Sequence, residues 1–423
     1  MAQASPGTPR VLRAMNDRAA LDLLLAHGPL SRSRIGKLTG LSKPTASQLL
    51  ARLEAAGLVV GTGTSEGRPG PNAQLYAVNP GAAHVAGLDV TTLGIRAAVA
   101  DITGRTVGTY EVPTPGRRTA GSTPELVVRA VDGAAKAAGV LRGDLHRIVI
   151  GTPGAFDPST GRLRYASHLP GWHSPTLLDE LAAALPMPLA YDNDVNLAAV
   201  AEQRLGAAGD SDDFLLLWNE EGMGAALVIG GKLHRGWTGG AGEVGFLPVP
   251  GTALVRNAAR TGSGGYQELA GANAALRLAR ELGLPYDHSA PMHEAAAELL
   301  RRALAATDPE GAGREPAAAP SSAEEAAADS EAYAELLQRF ATGLATGLAS
   351  LVAMLDPELI VLSGGVLNAG GERLRELVRA ELSELAVPRP RLVLGTVTEH
   401  PVLSGALESA LAATRDEVFD TSR

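Results

Sequence analysis

The stretch Tyr191-Asp192-Asn193-Asp194-Val195-Asn196 gathers carboxylates and amides where the chain changes its period. The apolar run Met187 to Tyr191 that feeds it predicts a buried strand. Leu197 to Leu205 follows with helical spacing and Gly206 as a stop. A strand end turning into a helix is where α/β sheets place ligand-handling polar groups. Asp194 there suits either a base that takes a proton from a hydroxyl or an acceptor that holds one. A second group of polar side chains lies near the start of the chain. Thr45, Gln48 and Arg52, with Lys43 and Ser47 at the flank, occupy the outward face of a short amphipathic segment, and Arg32 opens the segment before it. Hydroxyls, an amide and guanidinium groups at helical spacing are the donors and acceptors that read base edges and grip phosphates.

The composition narrows what such groups serve. At 423 residues, 45% of them apolar and 20% charged, the chain has material for two or three globular domains. With no cysteine it has neither disulfides nor thiolate chemistry, which fits a reducing compartment. No apolar run approaches the ~20 residues that span a bilayer, and no signal-peptide pattern opens the chain, so a cytoplasmic protein is expected. Residues 1–70 carry nine basic side chains against four acidic ones, a balance of +5. That leaves −14 on the rest of a chain whose net charge is −9. A basic head on an acidic body is expected where only the head meets a polyanion.

The elements follow from periodicity. Met1 to Pro9 reads as a frayed arm, and Ala20, Leu21, Leu24 and Leu25 recur at helical spacing from Asn16 until His27-Gly28-Pro29. Ser31 is placed to cap a short helix that Gly40 closes. Ser42 is placed to cap a third, with Ala46, Leu49, Leu50 and Leu53 facing inward. Leu58 to Val60 and Gln74 to Val78 then form a hairpin with Arg68 near its tip, the pattern of a winged helix-turn-helix. A wing arginine suits a narrow minor groove. Residues 1–80 are therefore expected to be a DNA-binding domain on a double-stranded operator, with Asn79-Pro80-Gly81 as linker.

Beyond it, Val85 to Leu88 and Ile95 to Ala100 read as strands, followed by a helix from Pro124 to Gly139 and the strand Arg147 to Ile150. Phe214 to Trp218 and Gly224 to Ile229 repeat the first pair, so two related lobes are expected. Thr307 to Ser330 lacks apolar periodicity and reads as a disordered or weakly helical insertion. Leu337 to Leu355 restores a long buried helix, and Leu359 to Leu362 runs into the turn Ser363-Gly364-Gly365.

With Gly151-Thr152-Pro153-Gly154, Asn193-Asp194 and Gly239-Gly240-Ala241-Gly242-Glu243-Val244-Gly245 in this order behind such a head, the chain resembles the ROK family of repressors, open reading frames and sugar kinases. The likeness is to its repressor branch, which includes xylose and N-acetylglucosamine repressors, and it covers about residues 10 to 415. It implies an α/β, two-lobed actin-like ATPase fold after the winged helix-turn-helix. One lobe would span 83–195 plus about 397–415, and the other 196–396. It also implies a sugar effector held by Asn193, Asp194, Glu243 and Glu268, with the loop residues Gly154, Ser167 and His168 beside them. A homodimer or homotetramer is expected, since paired heads must meet paired half-sites.

Three departures set the chain apart from the family's kinases. The phosphate turn Asp-x-Gly-Gly-Thr is here Asp89-Val90-Thr91-Thr92-Leu93. The second turn, Gly-Thr-Gly, is Glu220-Glu221-Gly222, which sets carboxylates where a triphosphate would lie; only Gly364 and Gly365 of the adenosine side survive. At the family's zinc site the histidine is Phe246 and the cysteines are Ala259, Thr261 and Tyr266. A regulator without cofactor, metal or catalytic residue is expected. A sugar kinase with an added head and a regulator that has lost its ligand are the alternatives.

Overall fold

The computed structural model describes residues 9–64, 73–113, 122–157, 162–164, 169, 171–172, 174, 176–256, 264–307 and 323–422. The chain forms two compact units, one of residues 1–152, 168–191 and 406–423 and one of residues 153–167 and 192–405.

The first unit opens with α1 (Pro9–His27), β1 (Leu30–Ser31), α2 (Arg32–Thr39), α3 (Lys43–Ala55), β2 (Val59–Thr64) and β3 (Gln74–Val78). The strands pair in the order β1-β3-β2, which is the winged helix-turn-helix arrangement. α1 begins at Pro9 rather than Asn16. A proline is accommodated in a first turn, and Val11, Leu12 and Met15 of this added stretch are exposed. Ser31 and Ser42 cap α2 and α3 as expected, each accepting from the backbone N–H three residues on. Gly40 ends α2 at φ 72°, a conformation that favours glycine. Asn79-Pro80-Gly81, read as a linker, is a pinned turn: the Asn79 amide donates to Gly57 O at 2.7 Å and its backbone N–H to Leu58 O at 2.9 Å. The core of the head, with Leu21, Ile35, Leu49 and Leu53, also includes Ile102 and Phe419, so head, first sheet and chain terminus share one apolar cluster.

The sheet that follows comprises β4 (His84–Val90), β5 (Gly94–Asp101), β6 (Thr106–Pro113) and β7 (Leu145–Thr152). After a small hairpin of β8 (Ala155–Asp157) and β9 (Arg162–Arg164) the chain enters β10 (Leu189–Asn193). The order is β10-β7-β4-β5-β6, with β4 antiparallel to β5 and parallel to β7. The half-exposed edge strand β6 went unread in the sequence, because its alternation is weak. α4 (Thr123–Ala138) covers one face and ends at Gly139, φ 73°; α5 (Leu177–Ala184) follows.

The second unit begins with α6 (Asp194–Leu205), then β11 (Phe214–Asn219), β12 (Met223–Ile229) and β13 (Lys232–Leu233). The helices α7 (Tyr266–Ala270), α8 (Ala272–Leu282), α9 (Met292–Thr307) and α10 (Ala323–Leu355) come next. β14 (Leu359–Ser363), α11 (Gly365–Ala369), α12 (Gly371–Leu385) and β15 (Arg391–Leu394) complete it, and α13 (Pro401–Val418) ends the chain. The sheet order β13-β12-β11-β14-β15 repeats the antiparallel-then-parallel pattern of the first sheet, as a duplicated layout requires. α10 starts within the segment read as an insertion, at Ala323; residues 308–322 lie outside the described ones. Ala328–Leu355 is long and apolar enough to cross a membrane by length and composition, yet Leu336, Leu337, Phe340, Leu344 and Leu348 are buried in the core of this unit. Glu202 of α6 is fully buried and accepts from the N–H groups of Ala207 and Val397, both at 2.8 Å, so helix and returning chain are tied by one satisfied carboxylate.

Candidate functional site

On α3 the apolar residues Ala46, Leu49, Leu50 and Leu53 are buried, which leaves Lys43, Thr45 and Gln48 exposed and Ser47 half-buried. The Thr45 hydroxyl lies 2.8 Å from Ser42 Oγ, and Ser47 donates to Lys43 O at 2.9 Å, so both hydroxyls have partners within the helix start. Arg32 stands exposed at the first residue of α2. Arg52 is engaged differently from the sequence reading. Its Nε donates to Asp17 Oδ2 at 3.0 Å and its Nη2 to Asp17 Oδ1. Asp17 is 1% exposed and also accepts from the Thr421 hydroxyl at 2.9 Å, which binds α1, α3 and the chain terminus at one carboxylate. Arg68 lies outside the described residues.

The second site is built on the first three residues of β12. Gly224 faces Val195: a Cβ there would lie 3.0 Å from a Val195 methyl, and Val195 follows Asp194. Ala225 N donates to Gly242 O at 2.8 Å, and Gly242, at φ 93°, has no room for a side chain, because its Cβ would lie 1.8 Å from Ala225 O. Glu243 follows directly. Met223 N donates to Gln267 Oε1 at 2.7 Å, and Glu268 follows Gln267. One strand end therefore anchors the neighbours of all three candidate carboxylates.

Each of those side chains has a definite setting. Asn193 is the cap of α6. Its Oδ1 accepts from Val195 N at 2.9 Å and Asn196 N at 3.3 Å, and its Nδ2 donates to Gly154 O at 3.1 Å, which joins two of the expected site residues. Asp194, half-buried, accepts from Val195 N at 2.8 Å. Burial pushes the Glu243 carboxyl above the usual glutamate range. Glu268 is partly exposed and lies 3.9 Å from the Arg277 guanidinium. Ser167 and His168 lie outside the described residues. The sequence reading missed Asp192 and Arg235. Asp192 is buried, accepts from Asn193 N and Asn196 Nδ2, both at 2.9 Å, and meets Arg235 at 2.7 and 3.1 Å. The pair is separated by 43 positions, so no local period signals it.

The turns at Thr91 and at Glu220, one in each unit, each carry hydrogen bonds from the chain's own groups. Thr91 Oγ1 accepts from the N–H groups of Leu93 and Gly94, both at 3.2 Å, so these amides are spent within the turn. In the second unit the Glu220 carboxylate accepts from Gly365 N, and a Cβ on Gly365 would lie 3.0 Å from both its oxygens. At the family's zinc position, Phe246 offers no donor atom. Tyr266 is fully buried with its hydroxyl donating to Leu344 O at 2.6 Å, its ring seated where only Gly347 leaves room. These residues do not fit a metal; Ala259 and Thr261 lie outside the described ones.

The chain matches the ROK family over residues 85–407 and the MarR family over residues 15–68. It is 27% identical over 243 residues to a putative xylose repressor of Caldicellulosiruptor sp. (strain Rt8B.4), covering 57% of this chain and 61% of that one, less than two thirds of the relative's length. It is 28% identical over 313 residues to a glucokinase of Halalkalibacterium halodurans, covering 72% of this chain and 86% of the relative. Among solved structures it is similar to the ROK hexokinase of Thermus thermophilus, with 28% identity, a TM-score of 0.60 and coverage of 79% and 99%. A ROK-family transcriptional regulator described as a homolog of the E. coli MLC protein superposes with a TM-score of 0.67 over 95% of this chain and 96% of that one. At 18% identity that likeness speaks for the fold alone.

Proposed function

Because the chain belongs to the ROK family and its head matches the MarR family, we propose that it is a cytoplasmic transcriptional regulator, most simply a repressor of carbohydrate genes, that binds an operator and answers to a sugar effector. The helix-turn-helix head carries this reading. Lys43, Thr45, Ser47 and Gln48 on α3, Arg32 on α2 and Arg68 in the wing are assigned to DNA. Arg52, committed to Asp17, is assigned to holding α3 in place. The effector is assigned to Asn193, Asp194, Glu243 and Glu268, with Gly154, Ser167 and His168 at its edge. Carboxylates there accept from hydroxyls, and the amide can both give and take. Residues 1–80 act as the DNA-binding domain of a homodimer or homotetramer, with the two lobes, 83–195 plus 397–415 and 196–396, as the sensing body.

The kinase relatives favour a second reading, a sugar kinase with an added head. It needs a triphosphate beside Thr91 and Glu220, whose turns are already satisfied internally. Operator binding measured by fluorescence anisotropy at fixed salt, with and without a saccharide panel, tests the regulator. A specific complex whose affinity one saccharide changes is expected, and Asp194→Ala should lose that response while keeping DNA affinity. Full response in that variant would sink the site assignment, and saccharide-dependent ATP hydrolysis would restore the kinase.

A further inference from the structure

Directly before Glu243 the chain makes a small loop that closes on itself: Ala241 N donates to Arg235 O at 3.1 Å. Gly236 turns it at φ 73°, where a Cβ would press to 3.1 Å from that of Ala241. The foot is fixed, since Arg235 holds Asp192, the residue before Asn193-Asp194. At the tip stands Trp237, 91% exposed, the most exposed large hydrophobic side chain among the described residues. Its neighbours Gly236, Thr238, Gly239 and Gly240 are small and uncharged, so nothing within the loop covers the ring. Trp172 and Trp218, by contrast, are buried.

An indole covers roughly 150–250 Å² when buried, and at about 25 cal/mol per Å² that area is a large favourable term left unrealised. A closed loop that carries it, tied through Arg235 to the residue before Asn193-Asp194, points to a partner with both hydroxyls and an apolar face. A pyranose has both: its C–H groups suit the negative face of an aromatic ring, and its hydroxyls suit carboxylates and amides. Trp237 lies within the loop closed by Ala241 and Arg235, and Glu243 follows that closure in the chain, so the two are assigned to separate rings.

We propose that Trp237 is the stacking platform of a second subsite, so that the effector is a saccharide of two or more rings, one ring held by Asn193, Asp194 and Glu243 and the next laid on the indole. This rests on the effector reading above. Because Trp237 is the exposed one of three tryptophans, iodide quenching of the intrinsic fluorescence reports on it selectively. The probes are xylose, glucose and N-acetylglucosamine and their β-1,4-linked disaccharides, with binding followed independently by thermal shift. One disaccharide is expected to bind at least about ten-fold more tightly than its monosaccharide and to shield Trp237 from iodide. Trp237→Ala should remove that preference while leaving monosaccharide affinity and operator binding in place. If saccharides bind, and bind through Asp194, but Trp237→Ala preserves the disaccharide-to-monosaccharide ratio, the subsite is overturned and the effector site stands. If no saccharide binds, both fall. Shielding that grows with protein concentration alone would overturn the subsite in favour of an interface between copies of the chain.

Discussion

Asp89 is 9% exposed near the end of β4, opposite Arg96 in the strand register, and burial lifts its carboxyl to about 6 even with that arginine pulling it down. The folded chain therefore holds this proton more tightly than the unfolded one. The stability it contributes is fully present below the ordinary aspartate value and is lost as pH rises through about 6. At pH 7.5 the ionised group costs up to roughly 3 kcal/mol, an upper figure because relaxation and water soften it. Asp89→Asn is expected to raise the melting temperature by several degrees at about pH 7.5 and to leave it nearly unchanged near pH 4. Equal shifts at both pH values would show that packing, not ionisation, sets the effect. The residue precedes the turn in which Thr91 Oγ1 accepts from the N–H groups of Leu93 and Gly94.

Among the elements, α3 depends on contacts outside the head. Its Arg52 shares Asp17 with Thr421, and Phe419, 1% exposed, fills the same cluster as Leu49 and Leu53. Arg18 adds to the seam, pairing with Asp416 at 2.9 Å while its guanidinium lies 5.7 Å from the Phe419 ring centre. A cavity of about 500 Å³ lies at this junction, lined in part by Arg52, Leu58, Val418 and Thr421. Asp17→Asn weakens the fork and the Thr421 bond together. The expected loss is ~1–2 kcal/mol, held down because the Arg52 side chain is 41% exposed. The measurement is hydrogen exchange over residues 43–55, which should speed up with a parallel drop in operator affinity. Unchanged exchange there would show that α3 stands without the terminus.

For the whole molecule, +5 on residues 1–70 against −14 on the remainder favours the head over the body as the surface that meets a polyanion. In the proposed homodimer or homotetramer, two heads related by symmetry would read half-sites about one helical turn apart. Inserting five base pairs between them turns one half-site to the far side of the duplex, and affinity should fall at least about ten-fold. Undiminished binding would mean that one head suffices. The head and the duplicated sheets were legible in the sequence because each is written in local terms: caps three residues from their amides, apolar residues at period two or 3.6, and glycines where a side chain cannot fit. α6 and β12 were legible for the same reason. Other features came from contacts between distant positions. Asp192 meets Arg235, Asp17 joins Arg52 to Thr421, Glu220 closes on Gly365, and Tyr266 occupies space left by Gly347. A hydrogen bond or an ion pair acts over about 3 Å of space and carries no period along the chain. The sequence by itself therefore determined which elements and motifs exist, and the tertiary structure alone decided which side chains are spent holding the fold and which, like Trp237, remain exposed.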